Sequence, residues 1–153
     1  MSTQQDGNVF SAPRHILVAT DLTDTSHNTV AYAAALAARL GVPLTLAHAI
    51  ELRVLPGAER GLEQVLSESE AGVRDQLDRQ ASELREMGVT VSVTIDRGPA
   101  ARTVAAMAER AGADLVIVGT HGRRGLLRLV VGSVAEHIVR LSSCTVMVVR
   151  SRA

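Results

Sequence analysis

Aromatic side chains are almost absent: the chain has one tyrosine, Tyr32, one phenylalanine, Phe10, and no tryptophan. Proteins that hold single-stranded nucleic acid usually stack bases on aromatic rings, so this composition argues against that class. Excess charge is lacking too. Sixteen basic and 16 acidic residues cancel, and the isoelectric point is near 7.0. Nothing in that balance points to a nucleic-acid or acidic-membrane partner. The single cysteine, Cys144, cannot form an intrachain disulfide, which fits a reducing compartment. No apolar run approaches the length that spans a bilayer, so no membrane insertion is expected. Met1 to Ala12 is polar, with neither a basic start nor a long apolar stretch, and reads as a disordered tail rather than a signal peptide. With 153 residues, the expectation is one cytoplasmic domain over residues 13–150.

What is present alternates between short apolar runs and longer amphipathic ones. His15–Thr20 reads as a buried strand ending at Asp21, and the alanine-rich segment up to Leu40 as a helix. Its N-cap candidates lie in Thr23-Asp24-Thr25-Ser26, and Gly41 stops it. Val42–Ile50 predicts a second strand, Glu51–Gly61 a loop, and Leu62–Met87 a long charged helix ended by Gly88. Val89–Ile95 alternates valine and threonine as a third strand does. Pro99 is placed to open a helix running to Ala111. Asp114–Val118 predicts a fourth strand, Ser133 to about Leu141 a last helix, and Thr145–Val149 a fifth strand. Strands alternating with helices predict a single α/β doubly wound domain with a five-stranded parallel sheet. In the order 3-2-1-4-5 the first and fourth strands are neighbours, and ligands bind beyond their carboxyl ends. Those ends are Asp21 and Gly119.

The fourth strand leads into Gly119-Thr120-His121-Gly122, nine further residues, then Gly132-Ser133. Glycines let backbone approach a ligand, and a helix start offers unpaired N–H groups with partial positive charge. The pattern predicts an anion cradle, with phosphate the natural anion. Ser133-Val134-Ala135-Glu136 also has the form of a capping box, with Ser133 as the cap. Neither a Gly-x-Gly-x-x-Gly after the first strand nor a Gly-Lys-Ser/Thr is present.

Gly-x2-Gly-x9-Gly-Ser, filled by Gly119, Gly122, Gly132 and Ser133, resembles the nucleotide-binding pattern of the universal stress protein family. The resemblance runs from about Pro13 to Arg150 and includes the Ala19-Thr20-Asp21 that ends the first apolar run. It implies a Rossmann-like fold of the adenine nucleotide alpha hydrolase type and an adenine nucleotide, ATP first, with AMP or cyclic AMP as alternatives. By the same resemblance Ala19, Thr20 and Ala49 line the base and ribose pocket. Val118, Gly119, Gly122, Gly132, Ser133, Val134 and Ala135 surround the ribose and phosphates. Asp21 touches the ligand or its Mg²⁺. A homodimer is implied through the last strand, Thr145–Val149, where relatives often carry a proline at the position of Thr145. Regulation of an unknown protein partner in the stress response is the implied role.

Simpler readings stand beside these. Gly119 and Gly122 also suit a tight turn, Ser133 a cap, and Asp21 a helix start. Arg123, Arg124 and Arg128 either neutralise a polyphosphate or are solvated loop charges. His121 lies in the glycine loop. His15, His27, His48 and His137 show no metal-ligand spacing and read as structural or surface residues. Ser133 has no recognisable triad partners, and Cys144 reads as a small buried hydrophobe. No positioned base is identifiable, so any ATP hydrolysis is expected to be slow. A true ATPase and a nucleotide-free interaction module are the rival readings.

Overall fold

The computed structural model describes residues 11–51, 62–120 and 132–150, with side chains of residues 62–68 left aside. The element order is β1 (Ile16–Ala19), α1 (Asp24–Leu40), β2 (Leu44–Ile50), α2 (Leu62–Glu86), β3 (Val91–Arg97), α3 (Ala100–Ala111), β4 (Leu115–Gly119), α4 (Ser133–Leu141) and β5 (Thr145–Val149). All strands are parallel, in the order β3-β2-β1-β4-β5, as the alternation of elements predicts.

The sheet separates two apolar layers by the two-residue alternation of strand side chains. Ile16, Val18, Leu44, Leu46, Leu115 and Ile117 face α1 and α2; Leu17, Ala47, Val116 and Val118 face α3 and α4. Helix α1 buries Ser26, Thr29, Val30, Ala33, Ala34 and Ala37, a three-four spacing that makes one stripe. Thr23 caps it, accepting from the Ser26 N–H, and Gly41 closes it at φ 65°. Helices α3 and α4 seal the other face with Val104, Met107, Ala135 and Ile138. The three central strands are almost wholly buried, whereas β3 and β5 are half-buried edges.

Two local expectations are corrected. The third strand begins at Val91, two residues later than the Val/Thr alternation indicates, and ends at Arg97. Alternation sets which face a residue takes but not where pairing starts. Here Thr90 lies outside the strand, although its carbonyl already accepts from the Leu44 N–H. Second, Ser133 is not a cap and forms no capping box. Gly132 occupies the cap position without a side-chain bond, Ser133 is the first helical residue, and Glu136 pairs with Arg140 at 2.8 Å.

Asp114, just before β4, ties the N-terminal segment to the sheet. Its carboxylate accepts the backbone N–H groups of Arg14 (2.9 and 3.0 Å) and His15 (3.0 Å). Desolvation works against its charge, but those N–H bonds outweigh it and hold the carboxyl below its ordinary value.

Candidate functional site

The ends of β1 and β4 meet because these strands pair directly, Val18 beside Ile117. Past β1 the chain turns sharply. The Thr20 N–H still donates to the Ala47 carbonyl at 2.9 Å. Thr20 Oγ1 accepts the Leu22 N–H at 3.1 Å and lies 2.9 Å from Ser26 Oγ. Ser26 spends its own proton on the Thr23 carbonyl at 2.8 Å, so Thr20 is the donor in that pair. Leu22 takes a left-handed φ of 62°, unusual for a residue with a side chain.

This turn aims Asp21. Its Oδ1 accepts from Thr23 N–H at 3.1 Å and Thr23 Oγ1 at 2.5 Å. Its Oδ2 is buried with no hydrogen-bond partner among the described residues. A buried carboxylate oxygen left unpaired costs free energy unless something else pairs with it.

Across the crevice, β4 ends at Gly119. The Thr120 N–H donates to the Val149 carbonyl (3.0 Å) and its own carbonyl accepts the Gly132 N–H (3.1 Å), docking the start of α4 against the ends of β4 and β5. A Cβ on Gly132 would lie 2.7 Å from that carbonyl oxygen, so only glycine permits this approach. The first-turn N–H groups of α4, at Ser133, Val134 and Ala135, have no intrahelical acceptor, and Gly132 at the cap position has no side chain to offer them. Ser133 and Val134 are exposed and Ala135 is buried.

Ala19, Ala49 and Val118 lie on the α3–α4 side of the sheet, the first two only partly covered. Together they give the crevice a low apolar floor on the side from which α4 presents its N-terminus. Glu51, the residue after β2, reaches α3: its Oε1 accepts the Ala100 N–H at 2.8 Å at the start of that helix. Gly122 and Arg123, with His121, Arg124 and Arg128, lie outside the described residues, as do positions 52–61 of the predicted loop.

Of the histidines, His15 bonds Thr45 Oγ1 at 2.8 Å, and His48 is buried with Nδ1 2.8 Å from the Thr20 carbonyl. Among the described residues no group of three His, Cys, Asp or Glu side chains forms a metal site. Cys144 is half-buried; burial first, then the Asp114 carboxylate, pushes its thiol pKa up, which suits packing rather than nucleophilic attack. A separate cleft of about 310 Å³ at the opposite end of the sheet, lined by Ala37, Gly41, Val42, Pro43, Gly88 and Val89 among others, has no ionisable side chain to orient a ligand.

The model of the universal stress protein family matches residues 13–150. The chain belongs to that family. A universal stress protein A homologue of Coxiella burnetii is 36% identical in an alignment 148 residues long that covers 89% of this chain and 95% of the homologue. A universal stress protein of Methanocaldococcus jannaschii is 28% identical over 140 residues, 90% of this chain and 82% of the relative. One from Mycobacterium bovis is 33% identical over 95% of this chain, which spans 49% of that longer relative. Among solved structures, a second Methanocaldococcus jannaschii family member superposes with a TM-score of 0.81 at 24% identity, over 92% of this chain and 97% of the other. The UspA protein of Lactobacillus plantarum gives 0.80 at 23%, over 92% and 100%. These structural likenesses establish the shared universal stress protein fold.

Sequence reasoning read His48 as a structural or surface residue and did not foresee its bond to the Thr20 carbonyl. That contact reaches from β2 to the turn after β1, which spacing along the chain does not reveal.

Proposed function

We propose that this universal stress protein binds an adenine nucleotide, ATP first, in the crevice between β1 and β4, and works as a nucleotide-dependent regulatory switch. The observation that carries the reading is the start of α4, capped by a glycine that offers its first N–H groups no side-chain bond and held at the end of β4 in a shape only glycine allows. Unpaired N–H groups with a helix dipole behind them favour phosphate. Ala19 and Ala49 leave room for a base and ribose, which would rest on aliphatic surface. Two family structures lend support, one solved in complex with cyclic AMP and one from Archaeoglobus fulgidus in complex with dAMP.

The unpartnered Asp21 Oδ2 fits a hydroxyl of the ligand or a nucleotide-borne Mg²⁺, which takes one or two carboxylates beside phosphate oxygens. Bound there, the ion would neutralise phosphate charge. Turnover would be slow: all 16 basic residues are arginine, so no lysine can reach the phosphates as in P-loop enzymes. The protein pairs with a second copy of itself along β5. That edge is open among the described residues, whereas on the β3 edge Arg85 donates to the Val91 carbonyl at 2.7 Å. Signalling to a protein partner would follow from a change in what the surface around the glycine loop presents once nucleotide is bound.

The test is mass spectrometry of small molecules released from freshly purified protein, with thermal shifts for ATP, AMP and cyclic AMP, each with and without Mg²⁺. Stabilisation by ATP that weakens at least tenfold in Asp21→Ala supports the reading. No nucleotide released and no shift at millimolar concentration would sink it.

A further inference from the structure

A buried imidazole stands behind the Asp21 turn. His48, two residues before the end of β2, is 9% exposed, and by strand alternation it shares the α1–α2 face with Leu44 and Leu46. Its Nδ1 lies 2.8 Å from the Thr20 carbonyl oxygen. A carbonyl only accepts, so Nδ1 carries the proton and the ring orientation is set by this bond. Thr20 is the first residue past β1. Its N–H reaches the Ala47 carbonyl, and its own carbonyl, which has left the strand ladder, is met by the next residue of β2, His48. The same strand therefore holds Thr20 from both sides, by its N–H and by the carbonyl of the Thr20–Asp21 peptide.

That peptide leads directly into the left-handed Leu22. A side-chain-bearing residue stays in such a conformation only when its surroundings over-determine it. Within the turn, the Leu22 N–H binds Thr20 Oγ1, and Thr23 binds Asp21 Oδ1. These are local bonds and would travel with the turn if it moved. The Thr20 N–H and the His48 bond tie it to the sheet, and among the described residues His48 alone holds the carbonyl that leads into Asp21.

We infer that His48 is a positioning residue of the crevice: by holding the Thr20 carbonyl it fixes the strained turn that leaves Asp21 Oδ2 free for the ligand. The inference rests on the nucleotide reading for its functional consequence and on the turn alone for its structural one, so the two can fail separately.

The experiment compares His48→Asn, whose amide nitrogen can stand near the Nδ1 position, with His48→Phe, which keeps the ring and loses the donor. His48→Gln, which extends its amide past that position, replaces His48→Phe if the latter does not fold. ATP affinity is expected to fall about tenfold in His48→Phe, roughly 1.4 kcal/mol, and to stay within about threefold of wild type in His48→Asn. In an Asp21→Ala background His48→Phe should cost nothing further, because its effect passes through that carboxylate. Amide hydrogen exchange on the ligand-free proteins gives the structural readout. Leu22 and Thr23 amides should exchange faster in His48→Phe and as in wild type in His48→Asn. Unchanged exchange at both amides in a folded His48→Phe protein overturns the inference whether or not ATP binds. An affinity loss of equal size with and without Asp21 overturns the route through Asp21. If wild type binds no ATP, the nucleotide reading falls, and the exchange comparison still decides the role of His48.

Discussion

A Cβ added at Gly119 would sit 2.8 Å from Thr29 Oγ1, with Thr29 Cβ the next atom at 3.9 Å. Thr29 is 1% exposed and its hydroxyl has no hydrogen-bond partner among the described residues. The conflict at Gly119 thus lies with one atom that bonds nothing. Gly119→Ala is expected to destabilise the protein by about 1–3 kcal/mol, the usual cost of overpacking. In a Thr29→Ala background most of that penalty should vanish, because the remaining contact is ordinary. Urea unfolding of the four proteins in this cycle checks it; equal penalties in both backgrounds would show that Gly119 is needed for some other reason. Gly132 differs. There the clash is with the Thr120 carbonyl, which is backbone and itself hydrogen-bonded to Gly132. No side-chain truncation relieves it, so Gly132→Ala should weaken ATP binding by at least tenfold in titration calorimetry, with no second-site rescue at Thr120.

Between elements, Asp114 is the clip that joins the segment before β1 to the start of β4. Its folded-state pKa lies below the ordinary carboxylate value, so its contribution is present above that value and is lost as pH falls through the folded one. The stability gap between wild type and Asp114→Asn should therefore be widest near neutral pH and close below about pH 4, near the unperturbed carboxylate pKa. A gap that stays constant down to pH 2, in denaturant melts at each pH, would contradict this. At the sheet edge, Val149 turns its carbonyl inward to Thr120, so alternation points the N–H groups of Val146 and Val148 outward. Val148→Pro removes one outward donor and no bond to β4, a position where an edge strand tolerates proline. It should convert a dimer to monomer in light scattering with the fold intact. The element sequence and strand order were legible because buried parallel strands are continuous apolar runs and glycines end the helices at Gly41 and Gly112. Pairing limits and caps were not: Ser133-x-x-Glu136 has the right residues, but the tertiary bond from Gly132 to Thr120 sets where α4 begins.

For the whole molecule, the topology marks one end of the sheet as the candidate site before any side chain is considered, since β1 and β4 adjoin where the strand order reverses. Asp21 and Gly119 could be named from the ends of those strands, and Gly122, Gly132 and Ser133 from the glycine pattern that resembles the family's. The device that holds the Asp21 turn could not, because the His48 side chain of β2 reaches the Thr20 carbonyl only in three dimensions, beside the point where the ends of β1 and β4 meet. The central claim is that this meeting point binds an adenine nucleotide. A ligand at a hundredfold its dissociation constant adds about 2.7 kcal/mol to stability. Calorimetric titration of ATP into the wild-type chain and into Gly132→Ala, in the presence of Mg²⁺, is the most direct measurement. The account predicts saturable binding at one site per chain for wild type and at least tenfold weaker binding for the variant. Equal binding by both proteins, or none by wild type at millimolar ATP, would contradict it.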